Sequence, residues 1–192
     1  IQRLDNFSLN QLSESDQKNL QDWQLQELKN NYGETLQSLL EALNCQAPFD
    51  LRVNSLVTTR QTVQQQLDKE EIQAAPGQYS PTALRLKDRR PLGKHPLWMD
   101  GSIEVQDEGS QLIAYLVDAK PGQAVWDYCA GAGGKTLAIA ALMLNQGRIV
   151  ATDTVDWRLQ RSRERFKRAS VHNVECQVLD DTTHKWEKRQ QG

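Results

Sequence analysis

A chain of 192 residues that is 38% hydrophobic and 25% charged has the composition of one or two globular domains, neither disordered nor fibrous. Its longest apolar run, residues 137–144, falls far short of the roughly 18 residues that a membrane-spanning helix needs. A net charge of −2 gives no global reason to expect nucleic acid, and three widely spaced cysteines (Cys45, Cys129, Cys176), away from His95, His172 and His184, read as reduced thiols without a metal site.

Residues 1–48 read as a helical segment, because Leu20, Trp23, Leu25, Leu28, Leu36, Leu39, Leu40 and Leu43 recur at helical spacing. Asn31-Tyr32-Gly33 breaks it into two helices. Ile1 to Asp5 lack the basic head and apolar core of a signal peptide, so the expected compartment is the cytoplasm. Residues 49–100 predict a small α+β module. It has a strand over Leu51–Val57, a helix over Gln61–Glu70 capped by Thr58 or Thr59, and a Pro/Gly connection over Ile72–Tyr79. A short strand over Ala83–Leu86 and a turn at Arg90-Pro91-Leu92-Gly93 complete it.

Residues 101–192 change texture. Ile103–Gln106 reads as a strand and Ser110–Val117 as a helix. Strands over Ala124–Asp127, Arg148–Asp153 and Val174–Leu179 then alternate with helices over Lys135–Asn145 and Trp157–Ala169. That alternation is the sequence form of βαβ units, hence of a parallel, doubly wound α/β sheet of which only the first three strands are encoded. A sheet so interrupted leaves one flank of its first strand without neighbours, so the chain is expected to be a fragment of a longer protein.

Gly131-Ala132-Gly133-Gly134 follows a buried strand and opens a helix, a place where backbone approaches a ligand closely. Three cofactor classes compete for it. A nucleotide-binding P-loop requires G-x-x-x-x-G-K-[ST], and Cys129 stands where its first glycine belongs. Asp127 at the strand end would also repel a polyphosphate. A dinucleotide fingerprint requires a third glycine where Thr136 stands. S-adenosylmethionine suits the acids instead: Asp127 would attract its ammonium, Asp153 would accept from its ribose hydroxyls, and Asp180 or Asp181 would accept from the adenine amino group. Cys129 reads as a small buried thiol rather than a nucleophile.

The residues Asp127-Tyr128-Cys129-Ala130-Gly131-Ala132-Gly133-Gly134-Lys135-Thr136 resemble the first motif of the Fmu/Sun family of RNA cytosine-5 methyltransferases, D-x-C-A-[AG]-P-G-G-K-T. Leu51-Arg52-Val53-Asn54-Ser55-Leu56 with Thr58-Thr59-Arg60, and Val105-Gln106-Asp107-Glu108-Gly109-Ser110-Gln111-Leu112, are similar to two further motifs of that family, in its order. The resemblance implies a Rossmann-like methyltransferase core, preceded by a helical segment and a small RNA-binding module. It implies S-adenosyl-L-methionine as cofactor and RNA, in particular rRNA, as partner, with neither metal nor membrane and a monomeric state. Carried over, the cofactor residues are Cys129, Ala130, Gly131, Ala132, Gly133, Gly134, Lys135, Asp153 and Asp180, with Asp181 in reserve. Ala132 departs from the usual Pro.

The family's catalytic cysteines stand in Pro-Cys and Thr-Cys contexts after the fourth and fifth strands, and neither dipeptide occurs here. No catalytic residue is therefore assigned, and the chain alone is expected to bind cofactor weakly and not to methylate. A non-catalytic RNA-binding protein with a relic of the fold is the competing expectation. Two basic stretches bear on RNA. Arg85 to His95, with Arg89, Arg90 and Lys94, is the candidate contact, whereas Arg158 to Arg168 reads as the solvated face of an amphipathic helix.

Overall fold

The computed structural model describes residues 12–183 together with Trp186 and Lys188. It divides into two units, residues 1–47 and 48–192. The first contains α1 (Glu14–Gln17), α2 (Asp22–Tyr32), a 3-10 turn (Gly33–Thr35) and α3 (Leu36–Asn44). Ser13 caps α1 by accepting from the Asp16 N–H at 3.2 Å, and Gln21 and Gln24 cap α2 reciprocally. The break falls at Gly33, whose φ of +47° is open to glycine at little cost.

The second unit begins with β1 (Phe49–Val53), α4 (Arg60–Lys69), β2 (Ala74–Pro76), β3 (Ala83–Leu86), α5 (Pro96–Met99) and β4 (Ile103–Val105). The strands form an antiparallel sheet in the order β2-β3-β1-β4. Leu51, Val53, Leu84, Leu86 and Ile103 make a core with Val63 and Leu67 of α4, as the two-residue alternation of the strands and the four-residue spacing on the helix require. Thr59 caps α4 through the Thr62 N–H.

The structure departs from the sequence expectation in this module. β1 stops at Val53, not Val57, because the Asn54 side chain takes over the backbone: its Nδ2 donates to the Gly101 and Ala169 carbonyls at 3.0 and 2.9 Å, and its Oδ1 accepts from the Leu56 N–H. Residues 74–76, expected as a connection, form an edge strand, where Pro76 costs no ladder hydrogen bond on its outer side. β4 pairs with β1, Leu51 opposite Val105 and Val53 opposite Ile103, so these residues belong to the first sheet rather than to the domain expected to begin at 101.

The middle of this sheet is fixed by charge. Arg85, opposite Asp50 in the register, donates from Nε and Nη2 to its two carboxylate oxygens at 2.7 and 2.9 Å. Glu108 accepts from the Tyr79 and Ser80 N–H groups at 2.7 and 2.9 Å. The Arg85 guanidinium holds the Asp50 carboxyl below its ordinary range, and the Ser80 N–H does the same for Glu108. A carboxyl depressed in the folded state stabilises it above the unfolded-state pKa, and that contribution is lost as pH falls through the folded value. Stability to urea is therefore expected to hold from pH 7 to about 5 and to decline below about pH 4, with a shallower decline in Arg85→Met. A flat profile down to pH 3 would contradict it.

The chain continues through α6 (Glu108–Leu116), β5 (Ala124–Asp127), α7 (Gly134–Leu142), β6 (Arg148–Asp153), α8 (Asp156–Arg168) and β7 (Val174–Val178). α6 starts two residues before the expected Ser110, because Asp107 accepts from the Ser110 N–H at 2.9 Å and caps it. The strands form a parallel sheet in the order β5-β6-β7, with the Rossmann-like α/β character expected. β6 is buried over Ile149–Asp153, and its Ile149 and Ala151 meet residues of α7 and α8. β5 is an edge strand among the described residues and is only half-buried. No helix among the described residues is long and apolar enough to cross a membrane.

Candidate cofactor site

The C-terminal ends of β5, β6 and β7 lie side by side, with Asp127 paired to Ala151 and Asp153 paired to Val178. The turn after β5 is stitched to β6 by the Ala130 N–H, which donates to the Thr152 carbonyl at 2.8 Å. Two glycines then bend the loop, Gly131 at φ +55° and Gly133 at φ +78°. Gly133 is required on two counts, since a Cβ there would lie 2.6 Å from the Phe166 ring of α8.

Asp127 and Asp153 hold this loop in different ways. Asp127 accepts from the Thr136 hydroxyl at 2.6 Å, tying the end of β5 to the first turn of α7. Asp153, only 7% exposed, takes the Gly131 N–H on Oδ2 at 2.9 Å and the Val155 N–H on Oδ1 at 2.9 Å. The Arg158 guanidinium stands 4.0 Å from the same carboxylate. A Cβ built on Gly131 would meet only Asp153 Oδ2, at 4.0 Å, so the space above this glycine is open.

Ala132 and Lys135 are exposed, Gly131 and Gly134 are half-buried, and Ala130 is buried. Cys129 is exposed, contrary to the expected buried thiol, because the end of the half-covered edge strand β5 leaves it outside the core. Asp180 follows β7, where its Oδ1 accepts from the Thr182 N–H and hydroxyl at 2.8 and 2.6 Å, an arrangement that lowers its pKa. Asp181 is exposed beside it. No metal-binding cluster of His, Cys, Asp and Glu occurs among the described residues.

One side chain at the loop escaped sequence reasoning. Arg165 of α8 donates from Nη1 to the Ala132 carbonyl at 2.5 Å and from Nε and Nη2 to Glu104 of β4. It lies inside a basic run whose spacing alone looks solvated, and only the tertiary approach of β4 distinguishes it from its neighbours.

The hydrogen bonding of this loop differs from that of a phosphate site. In a phosphate cradle the loop amides point at the ligand, whereas here the Gly131 N–H is taken by a carboxylate and the Gly133 N–H by the Ala130 carbonyl at 2.8 Å. Each Asp153 oxygen accepts one amide and retains capacity for a second donor. A neutral or cationic ligand with paired hydroxyl groups fits that arrangement.

Comparison with known proteins places the chain in a family. The model for the ferredoxin-like domain of RsmF/B-like methyltransferases matches residues 21–92, and that for 16S rRNA methyltransferase RsmB/F matches residues 114–191. A probable ribosomal RNA small subunit methyltransferase B of Coxiella burnetii is 31% identical over 157 residues, covering 82% of this chain and 36% of its own length. The corresponding protein of Synechocystis sp. is 33% identical over 152 residues, covering 78% of this chain and 34% of itself. The chain thus spans about a third of the length of these relatives. Among solved structures, a methyltransferase homolog from Pyrococcus horikoshii superposes with a TM-score of 0.81 at 27% identity, over 93% of this chain and 60% of that one. With the two matched regions lying in family order on either side of β4, the chain belongs to the Fmu/Sun, or RsmB/F, family of methyltransferases.

Proposed function

We propose that the chain supplies the RNA-binding and cofactor-binding parts of an S-adenosyl-L-methionine-dependent rRNA methyltransferase that forms 5-methylcytosine, the remainder of the catalytic domain lying in sequence beyond these residues. The observation that carries the cofactor assignment is the Gly131 N–H given to Asp153. It takes one of the loop amides that a phosphate cradle would use and places a carboxylate beside the open space over Gly131. Bound there, the cofactor would supply an electrophilic methyl group. The loop from Cys129 to Lys135 would line it, Asp153 would accept from its ribose hydroxyls, and Asp180, or Asp181 beside it, would accept from the adenine amino group. Asp127, bonded to Thr136, fixes the loop and adds negative charge on the side where the ammonium would lie.

The RNA partner is supported by the names of the relatives and by exposed cations on the small module. Arg89, Arg90 and Lys94 are all exposed there, Arg89 with its guanidinium 5.3 Å over the Phe49 ring. The Pro-Cys and Thr-Cys contexts of the family's nucleophiles do not occur in the chain, so methyl transfer belongs to the whole protein. A thermal-shift comparison of S-adenosylhomocysteine with ATP-Mg tests the cofactor. At about 100 times the dissociation constant, S-adenosylhomocysteine is expected to raise Tm by about 5–10 °C, and ATP-Mg not at all. A shift with ATP-Mg alone would reverse the assignment.

A further inference from the structure

Glu104 is fully buried on β4, and three cations converge on it. Arg52 lies directly across the strand pair, and burial pulls its guanidinium down to about 10 against the opposing pull of Glu104. Arg168 donates to Oε1, and Arg165 donates to Oε2 from Nε at 3.2 Å and Nη2 at 2.9 Å. The two arginines of α8 stand one turn apart and share one carboxylate, but they do different things with the rest of the guanidinium. Arg168 lies 4.1 Å over the Trp98 ring and stays within the small module's side of the joint. Arg165 turns its remaining nitrogen, Nη1, to the Ala132 carbonyl at 2.5 Å.

That carbonyl is the point of the loop most in need of a restraint. Gly131 and Gly133 on either side have positive φ and no side chain to lock them, and Ala132 between them is exposed. The flanking amides are held, Gly131 by Asp153 and Gly133 by Ala130, and the Ala132 carbonyl is held by a guanidinium whose own position is set by a buried carboxylate. A free arginine would lose rotamer freedom on reaching the loop, and the fork to Glu104 removes most of that loss beforehand. We propose that Arg165 is the positioning residue of the cofactor loop, and that Glu104 locks it, so that β4 of the RNA-binding-type sheet sets the shape of the methyl-donor site. This rests on the cofactor reading above, but its first test does not.

Arg165→Met and Arg168→Met each take one guanidinium from Glu104, and only the first touches the loop. Amide hydrogen exchange in the ligand-free chain is read at Gly131 and Gly133 against β6 amides of the same sample. Arg165→Met is expected to speed the loop amides about tenfold and to raise the S-adenosylhomocysteine dissociation constant about tenfold, the worth of one charge-assisted hydrogen bond. Arg168→Met is expected to leave both within about twofold of wild type, whatever it does to Tm. Arg165→Lys keeps a cation beside Glu104 but cannot span both anchors, so it preserves the fold and still loosens the loop. Loop exchange at the wild-type rate in both Arg165 variants, or equal loosening by Arg168→Met, would overturn the proposal. Failure of the wild-type chain to bind S-adenosylhomocysteine would instead strike the cofactor reading, with the exchange result still deciding the role of Arg165.

Discussion

Asp153→Ala is expected to weaken S-adenosylhomocysteine binding by about a hundredfold and to lower unfolding stability by about 2 kcal/mol. Both effects come from one carboxylate with two sets of partners. On the protein side it accepts the Gly131 and Val155 N–H groups at 2.9 Å each, in a position only 7% exposed. Removing it leaves two amides without an acceptor, and an unsatisfied buried donor costs about 1–3 kcal/mol. On the ligand side, the proposed ribose contact would lose charge-assisted hydrogen bonds, each worth about 1.5–3 kcal/mol before the loop rearranges. Asp153→Asn separates the two sides. Its amide oxygen can still serve one backbone N–H while its NH2 faces the other, so part of the stability returns and little of the affinity does. Isothermal titration and urea unfolding on the three proteins measure this, and a dissociation constant within threefold of wild type in Asp153→Ala would remove Asp153 from the cofactor site.

Gly101→Ala should be severely destabilising for a single added methyl. The added Cβ would sit 2.1 Å from the Arg168 carbonyl oxygen and 2.9 Å from the Ala169 Cα. Both are backbone atoms, which cannot swing aside as a side chain could. The same carbonyl region carries the Asn54 bonds to Gly101 and Ala169 that hold the antiparallel sheet against α8. With a φ of +77° the alanine also pays the left-handed strain of about 1–2 kcal/mol, and overpacking adds about 1–3 kcal/mol or more. A total near 4 kcal/mol is therefore expected from urea unfolding. Gly122→Ala is the comparison, since Gly122 has a φ of +88° and nothing within 4 Å of the added atom. It should lose only the conformational part, about 1–2 kcal/mol. Equal losses at the two positions would mean that the close approach at Gly101 is not what holds the joint.

How far the residues announced their structure depended on whether the cause was local. β6 was readable because Ile149-Val150-Ala151 is the continuous apolar run of a buried parallel strand, and the half-buried β5 and β7 were readable from the strand–helix alternation around it, with Asp127, Asp153 and Asp180 following from where the strands end. The N-caps at Thr59 and Asp107 are equally local, a side-chain oxygen meeting an N–H three residues on. What stayed hidden was set by partners distant in sequence. β2 is three residues long and ends on Pro76, and only β3 makes it a strand. β4 looked like the opening of the second domain, and its pairing with β1 spans about fifty residues of chain, from Leu51 to Val105. Arg165 is indistinguishable by spacing from Arg161 or Arg163, and becomes special only because Glu104 and Ala132 arrive on either side of it.

The strand β4 thereby fixes where this fold can be exchanged for another. A crossover placed at residue 100 would keep Glu104 with the arginines of α8 but part β4 from its pairing partner β1, setting Glu104 opposite the other parent's residue in place of Arg52. The transplantable piece ends instead after Gln106, whose Oε1 receives Arg52 at 2.7 Å. Even then the recipient must present two arginines one helical turn apart to meet Glu104, so a chimera inherits a lock along with its key.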